Sequence, residues 1–138
     1  MNIQPCERSS GCRVLLVEDN ADLAEVTAEF MRATGLEVRI ASSGQEALEL
    51  ACAFHPEIVL CDMRLPDMSG LDVLQALRSM ESGKDVVLAI YSAVSECDLR
   101  LLERTMTPSP VDVFLCKPIT WESLDMLRSR LHGLRRRA

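Results

Sequence analysis

The chain has 138 residues, of which 48% are hydrophobic and 26% charged. That size suits one domain with a real core, so neither a disulfide framework nor a structural metal is needed to hold it together. The net charge is −6, but all of the excess base lies at the end: from Arg128 onward there are five arginines and no acid, leaving 10 basic against 21 acidic groups before it, a net of −11. An acidic body of this kind repels nucleic-acid phosphates.

The six cysteines, Cys6, Cys12, Cys52, Cys61, Cys97 and Cys116, are scattered without a C-x-x-C pair. They read as reduced thiols behaving as small hydrophobes, and not as a zinc site. No apolar run approaches the ~18 residues of a membrane span. The start, MNIQPCERSSGC, lacks the basic-then-apolar order of a signal peptide. The expected compartment is the cytoplasm, without membrane association. The expected organisation is an N-terminal extension over 1–11, one domain over 12–132 and a basic tail over 133–138.

Along the chain, apolar runs alternate with helical patterns. The first run is Val14 to Val17. A helix follows, capped by Asn20, with Leu23, Val26, Phe30 and Met31 on one stripe and Gly35 at its end. The second run is Val38 to Ala41; Ser43 can cap the next helix, which carries Ala47, Leu48, Leu50 and Ala51 and stops before Pro56. The third run, Ile58 to Cys61, precedes a helix starting near Leu71. The fourth run is Val86 to Tyr91, with a helix expected over 96–106. The fifth is Val113 to Cys116, with a last helix from about Thr120 carrying Trp121, Leu124, Leu127 and Leu131. Pro108 and Pro110 make the approach to the fifth strand irregular. Near-continuous apolar strands separated by helices indicate a parallel sheet covered on both faces.

Glu18 and Asp19 end the first strand, Asp62 the third, Ser92 the fourth and Lys117 the fifth. In an open parallel sheet, ligands bind beyond the carboxyl ends of the strands where strand order reverses. With order 2-1-3-4-5, that point lies between strands one and three, where Glu18, Asp19 and Asp62 converge. Three carboxylates at one place raise each other's pKa, and a hard divalent cation such as Mg²⁺ relieves the repulsion. The cation also offsets the repulsion between an anionic phosphoryl donor and an anionic nucleophile. Lys117 adds a point charge, Ser92 can donate a hydrogen bond, and Asp62, at the middle of the cluster, is the candidate nucleophile.

VLLVEDN (14–20), IVLCDMRLPDMSGLDVL (58–74), AIYSA (89–93) and FLCKP (114–118) together resemble the receiver domain of response regulators, of the chemotaxis-regulator-like kind, over about residues 12–132. The resemblance implies a flavodoxin-like (βα)5 three-layer sandwich with a five-stranded parallel sheet. It also implies the following roles. Asp62 is the phosphoacceptor. Mg²⁺ is held by Asp19 and Asp62, by Glu18 largely through water, and by the backbone carbonyl of Arg64. Ser92 and Lys117 bind the phosphoryl group, Pro118 is the proline after the lysine, and Pro66 and Gly70 belong to the loop after the acceptor. Ser92 and Phe114 form the switch, although Phe114 carries no hydroxyl. Arg64 and Val94, each two residues beyond a site residue, flank the approach of water and tune hydrolysis of the aspartyl phosphate.

The implied function is that of a phosphorelay response regulator, which assists its own phosphotransfer and dephosphorylation and is otherwise no enzyme. Its donor would be a histidine kinase or a histidine phosphotransfer protein. Its output would go through a downstream protein partner or a homodimer, at the face made by the 96–106 helix, the fifth strand and the last helix. An alternative is a receiver segment of a hybrid sensor histidine kinase; Met1 and the short tail favour a free-standing protein. A flavin-binding protein of the same fold needs a hydroxyl- and glycine-rich loop after strand one, where this chain has EDNAD. An Asp-nucleophile phosphatase places a second acid two residues on, where this chain has Arg64.

Overall fold

The computed structural model describes residues 12–80, 85–93 and 110–137. The expected helix over 96–106, Val94 and the 1–11 extension fall outside these residues. Five strands, β1 (Arg13–Val17), β2 (Glu37–Ala41), β3 (Ile58–Asp62), β4 (Val87–Ser92) and β5 (Val113–Cys116), form one parallel sheet in the order β2-β1-β3-β4-β5. The four described helices are α1 (Ala21–Ala33), α2 (Gly44–Phe54), α3 (Gly70–Ser79) and α4 (Trp121–Arg137). The last helix continues through the residues expected to form a basic tail.

Strand alternation divides the core into two layers, because successive side chains point to opposite faces. Val14, Leu16, Ile58, Leu60, Ala89, Tyr91 and Leu115 pack with Ala24, Ala28 and Met31 of α1 and Leu124, Leu127 and Leu131 of α4. Leu15, Val17, Val59, Cys61, Leu88 and Ile90 pack with Ala47 and Ala51 of α2 and Leu71, Leu74 and Leu77 of α3. Small residues on α1 and α2 let those helices approach the sheet closely.

The helix starts lie where their caps put them. Asn20 accepts from Leu23 N, Ser43 from Glu46 N, and Ser69 from Leu71 N and Asp72 N. Thr120 Oγ1 accepts from Ser123 N at 3.1 Å before α4. Gly35, at φ 95°, takes the left-handed turn after α1. The segment between β3 and α3 folds tightly back on the strand. Arg64 and Ser69 pair as an isolated antiparallel bridge, and Gly70 N donates to Met63 O at 2.7 Å. A Cβ at Gly70 would collide with the Asp62 backbone carbonyl oxygen and lie 3.1 Å from Ile90 Cδ1. The backbone at the end of β3 cannot give way as a flexible side-chain tip could. Gly70→Ala should therefore destabilise the fold by about 2 kcal/mol, read as a lower urea midpoint; an unchanged midpoint would show that the turn yields without loss.

Candidate functional site

Sheet register brings the polar strand ends level. Val17 pairs with Cys61, Asp62 with Tyr91, and Ser92 with Cys116. Glu18, Asp62, Ser92 and Lys117 each stand at or one residue past a strand end, so they gather at one edge of the sheet across four strands, staggered by one or two residues. Glu18 N donates to Ala41 O at 2.9 Å, which carries the sheet pairing one step beyond β1. Lys117 N donates to Ser92 O at 3.1 Å, which fixes the lysine backbone to β4. The Lys117–Pro118 peptide is cis.

The three residues after β1 divide their tasks. Glu18 turns inward and is 1% exposed. Asp19 is exposed. Asn20 caps α1 while its backbone N–H donates to Glu18 Oε2 at 3.2 Å. Carboxylate oxygens of Glu18, Asp19 and Asp62 lie within 4.8 Å of one another, and this is the group among the described residues able to hold a metal ion. Its all-oxygen donor set suits a hard cation such as Mg²⁺ and not a soft one.

Lys117 Nζ sits between the two buried acids, 2.7 Å from Glu18 Oε1 and 3.2 Å from Asp62 Oδ2. It also lies 4.9 Å from the centroid of the Tyr91 ring. Tyr91 OH donates to Glu18 Oε1 at 2.9 Å. Asp62 Oδ1 receives a longer bond, 3.4 Å, from Arg64 N. The sequence expectation of mutually raised carboxyl pKa values holds for one acid of this pair and fails for the other. Burial pushes Glu18 up, but the hydrogen bonds from Lys117, Asn20 and Tyr91 outweigh it and hold the carboxyl below its usual range. Burial also pushes Asp62 up; the Lys117 charge opposes this, the Glu18 charge reinforces it, and the result lies above the usual range. The difference follows from donor count, since Glu18 has three donors and Asp62 two weaker ones. Burial alone would lower the Lys117 pKa, but its hydrogen bond to Glu18 and the charge of Asp62 hold it above the ordinary lysine value.

The remaining expected residues are near but differently placed. Ser92 is buried at the end of β4. Phe114 is half-buried on β5 against the layer that holds Ile90 and Cys61. The Arg64 side chain is exposed beside Asp62. Sequence reasoning missed Tyr91, which it read only as a strand residue. The available signal was an aromatic with a polar tip, directly before Ser92, in the otherwise aliphatic strand VLAIYS.

A family model described as the response regulator receiver domain matches residues 14–127, and the chain belongs to that family, a class of two-component signalling domains. A response regulator receiver protein of Anaeromyxobacter sp. (strain Fw109-5) is 39% identical over 105 residues, covering 73% of this chain and 44% of that protein. The chain spans about half the length of the curated relatives it matches. A CheY-like receiver domain protein from Methanospirillum hungatei JF-1 has the same fold, with a TM-score of 0.80 at 20% identity over 93% of this chain and 99% of that one. The response regulator TrrA from Thermotoga maritima, solved in complex with Mg²⁺-BeF, matches at a TM-score of 0.72 and 25% identity over 86% and 97% of the two chains.

The pKa directions fix how the site couples to stability. Glu18, lowered in the fold, contributes stability above its unfolded pKa and loses it as the pH falls. Lys117, raised, contributes below its unfolded pKa and loses it as the pH rises through the folded one. Asp62, raised, detracts from stability when ionised. Lys117→Met removes a donor from both acids and raises both. In Mg²⁺-free buffer at pH 7 the variant should lose roughly 1–3 kcal/mol. The deficit should shrink as the pH is lowered toward about 5 and the carboxyls take up protons. Urea unfolding across pH reads this; a deficit independent of pH would contradict it.

Proposed function

We propose that this chain is a phosphorylation-controlled receiver in which Asp62 takes a phosphoryl group from a phosphohistidine. The observation that carries the reading is the placement of Asp62: a strand-end carboxylate bonded to Lys117 Nζ at 3.2 Å and grouped with Glu18 and Asp19. The complex of the Thermotoga maritima relative with Mg²⁺-BeF supports it.

In this reading an Asp62 oxygen attacks phosphorus, the P–N bond to the donor histidine breaks, and the imidazole leaves with its nitrogen lone pair restored and then protonated. Asp19, Asp62 and the Arg64 carbonyl would hold Mg²⁺, with Glu18 acting largely through water. When bound, the cation supplies positive charge that offsets the repulsion between phosphoryl oxygens and the site carboxylates. Lys117 and Ser92 bind the phosphoryl oxygens, and their movement reaches Phe114, two residues before Cys116 on the neighbouring strand. A face altered at Phe114 gives a protein partner, or a second copy of this chain, one state to prefer over the other. Arg64, exposed beside Asp62, shields the acyl phosphate from water. The donor is a histidine kinase or a histidine phosphotransfer protein, in the cytoplasm. The same chemistry serves a free-standing receiver and a receiver segment of a hybrid kinase.

Acetyl phosphate with Mg²⁺ should add one phosphoryl group to the wild type and none to Asp62→Asn, measured by intact mass. Labelling that persists in the variant would move the acceptor elsewhere. Followed over time after removal of the donor, the same assay should show the label decaying several-fold faster in Arg64→Ala, and an unchanged rate would take Arg64 out of this role.

A further inference from the structure

One buried polar group at the site has no part in the chemistry above. Tyr91 is 0% exposed on β4, its Cα in register with that of Asp62. Its hydroxyl donates to Glu18 Oε1, the same oxygen that accepts from Lys117. A continuous chain of hydrogen bonds thus runs from Tyr91 through Glu18 and Lys117 to Asp62.

Packing alone does not call for the hydroxyl. The positions of β4 before it, Val87 to Ile90, are aliphatic, and a phenylalanine would fill the same volume. A buried phenol needs a partner, and here the partner is a carboxylate of the site and not a backbone carbonyl. The consequence concerns Lys117. While Lys117 rests on Glu18, Oε1 has two donors. If Lys117 moves to a phosphoryl group on Asp62, a carboxylate that is 1% exposed loses one of them. A buried acceptor left without a donor is strongly disfavoured. With Tyr91 in place, Oε1 keeps a donor and Oε2 keeps Asn20 N.

We propose that Tyr91 is a positioning residue that holds Glu18 satisfied and in place while Lys117 passes from Glu18 to the phosphoryl group. This rests on Asp62 being the phosphoacceptor.

The test uses the full chain and two probes, Mg²⁺ alone and beryllofluoride with saturating Mg²⁺, each titrated against amide NMR shifts. Tyr91→Phe keeps the ring and removes the hydroxyl. Its affinity for Mg²⁺ alone should stay within about twofold of wild type, because that step does not need Lys117 to leave Glu18. Its affinity for beryllofluoride should fall about tenfold, equivalent to about 1.4 kcal/mol. Unchanged beryllofluoride affinity in Tyr91→Phe overturns the proposal. So does an equal fall for both probes, which is what a general loosening of the site would give. Failure of the wild type to bind beryllofluoride at all would instead overturn the assignment of Asp62.

Discussion

Two buried carboxylates, Glu18 and Asp62, share one ammonium. Lys117 Nζ reaches both, at 2.7 and 3.2 Å, from a strand end fixed to β4 by its own backbone N–H. Neither acid could be held ionised out of water without a cation, and a single cation cannot satisfy both fully. The arrangement is therefore unequal, with Glu18 well supplied with donors and Asp62 less so. That inequality leaves Asp62 as the carboxylate with higher proton affinity and with room for a further positive charge. A divalent cation and a phosphoryl group would complete the balance that Lys117 alone leaves partial.

The fold exists, in this sense, to hold four strand ends level. The strand order places β1 next to β3, β3 next to β4 and β4 next to β5, so Glu18, Asp62, Ser92 and Lys117 are lateral neighbours although they lie far apart in the chain. Two apolar layers fix the sheet from both faces. The turn after β3 is closed down by Gly70, which leaves no slack in the backbone that carries Asp62. Asp67 ties that loop across to the start of α2, accepting from Gly44 N at 2.8 Å and Gln45 N at 2.9 Å. These hydrogen bonds from the Gly44 and Gln45 backbone N–H groups hold its carboxyl below the usual range and brace the loop from outside.

Most of this frame was legible in the residues. Continuous apolar runs such as IVLC announce strands buried on both faces, and Asn20 and Ser43 mark helix starts by a mechanism, not a statistic. The acidic pair, Asp62, Ser92 and Lys117 were legible because each lies at the end of an apolar run. Their mutual contacts were not. Sequence placed Lys117 only as a nearby point charge, whereas it lies between the acids, because the direction of a long flexible side chain depends on what else is buried beside it. The split between Glu18 and Asp62 was hidden for the same reason: it comes from Tyr91 and Asn20 N–H, donors that only the register and the cap geometry bring to Glu18. Tyr91 itself was masked by its strand, where an aromatic is expected for packing.

Lys117 rests between the acids, and in the proposed transfer it leaves Glu18 when the phosphoryl group arrives. A crystal structure with Mg²⁺ and beryllofluoride reads this directly. The account predicts beryllium on an Asp62 oxygen, Lys117 Nζ bonded to fluoride and no longer to Glu18, and the Tyr91–Glu18 hydrogen bond retained. Beryllofluoride bound away from Asp62, or Lys117 still bonded to Glu18 in the occupied site, would contradict it.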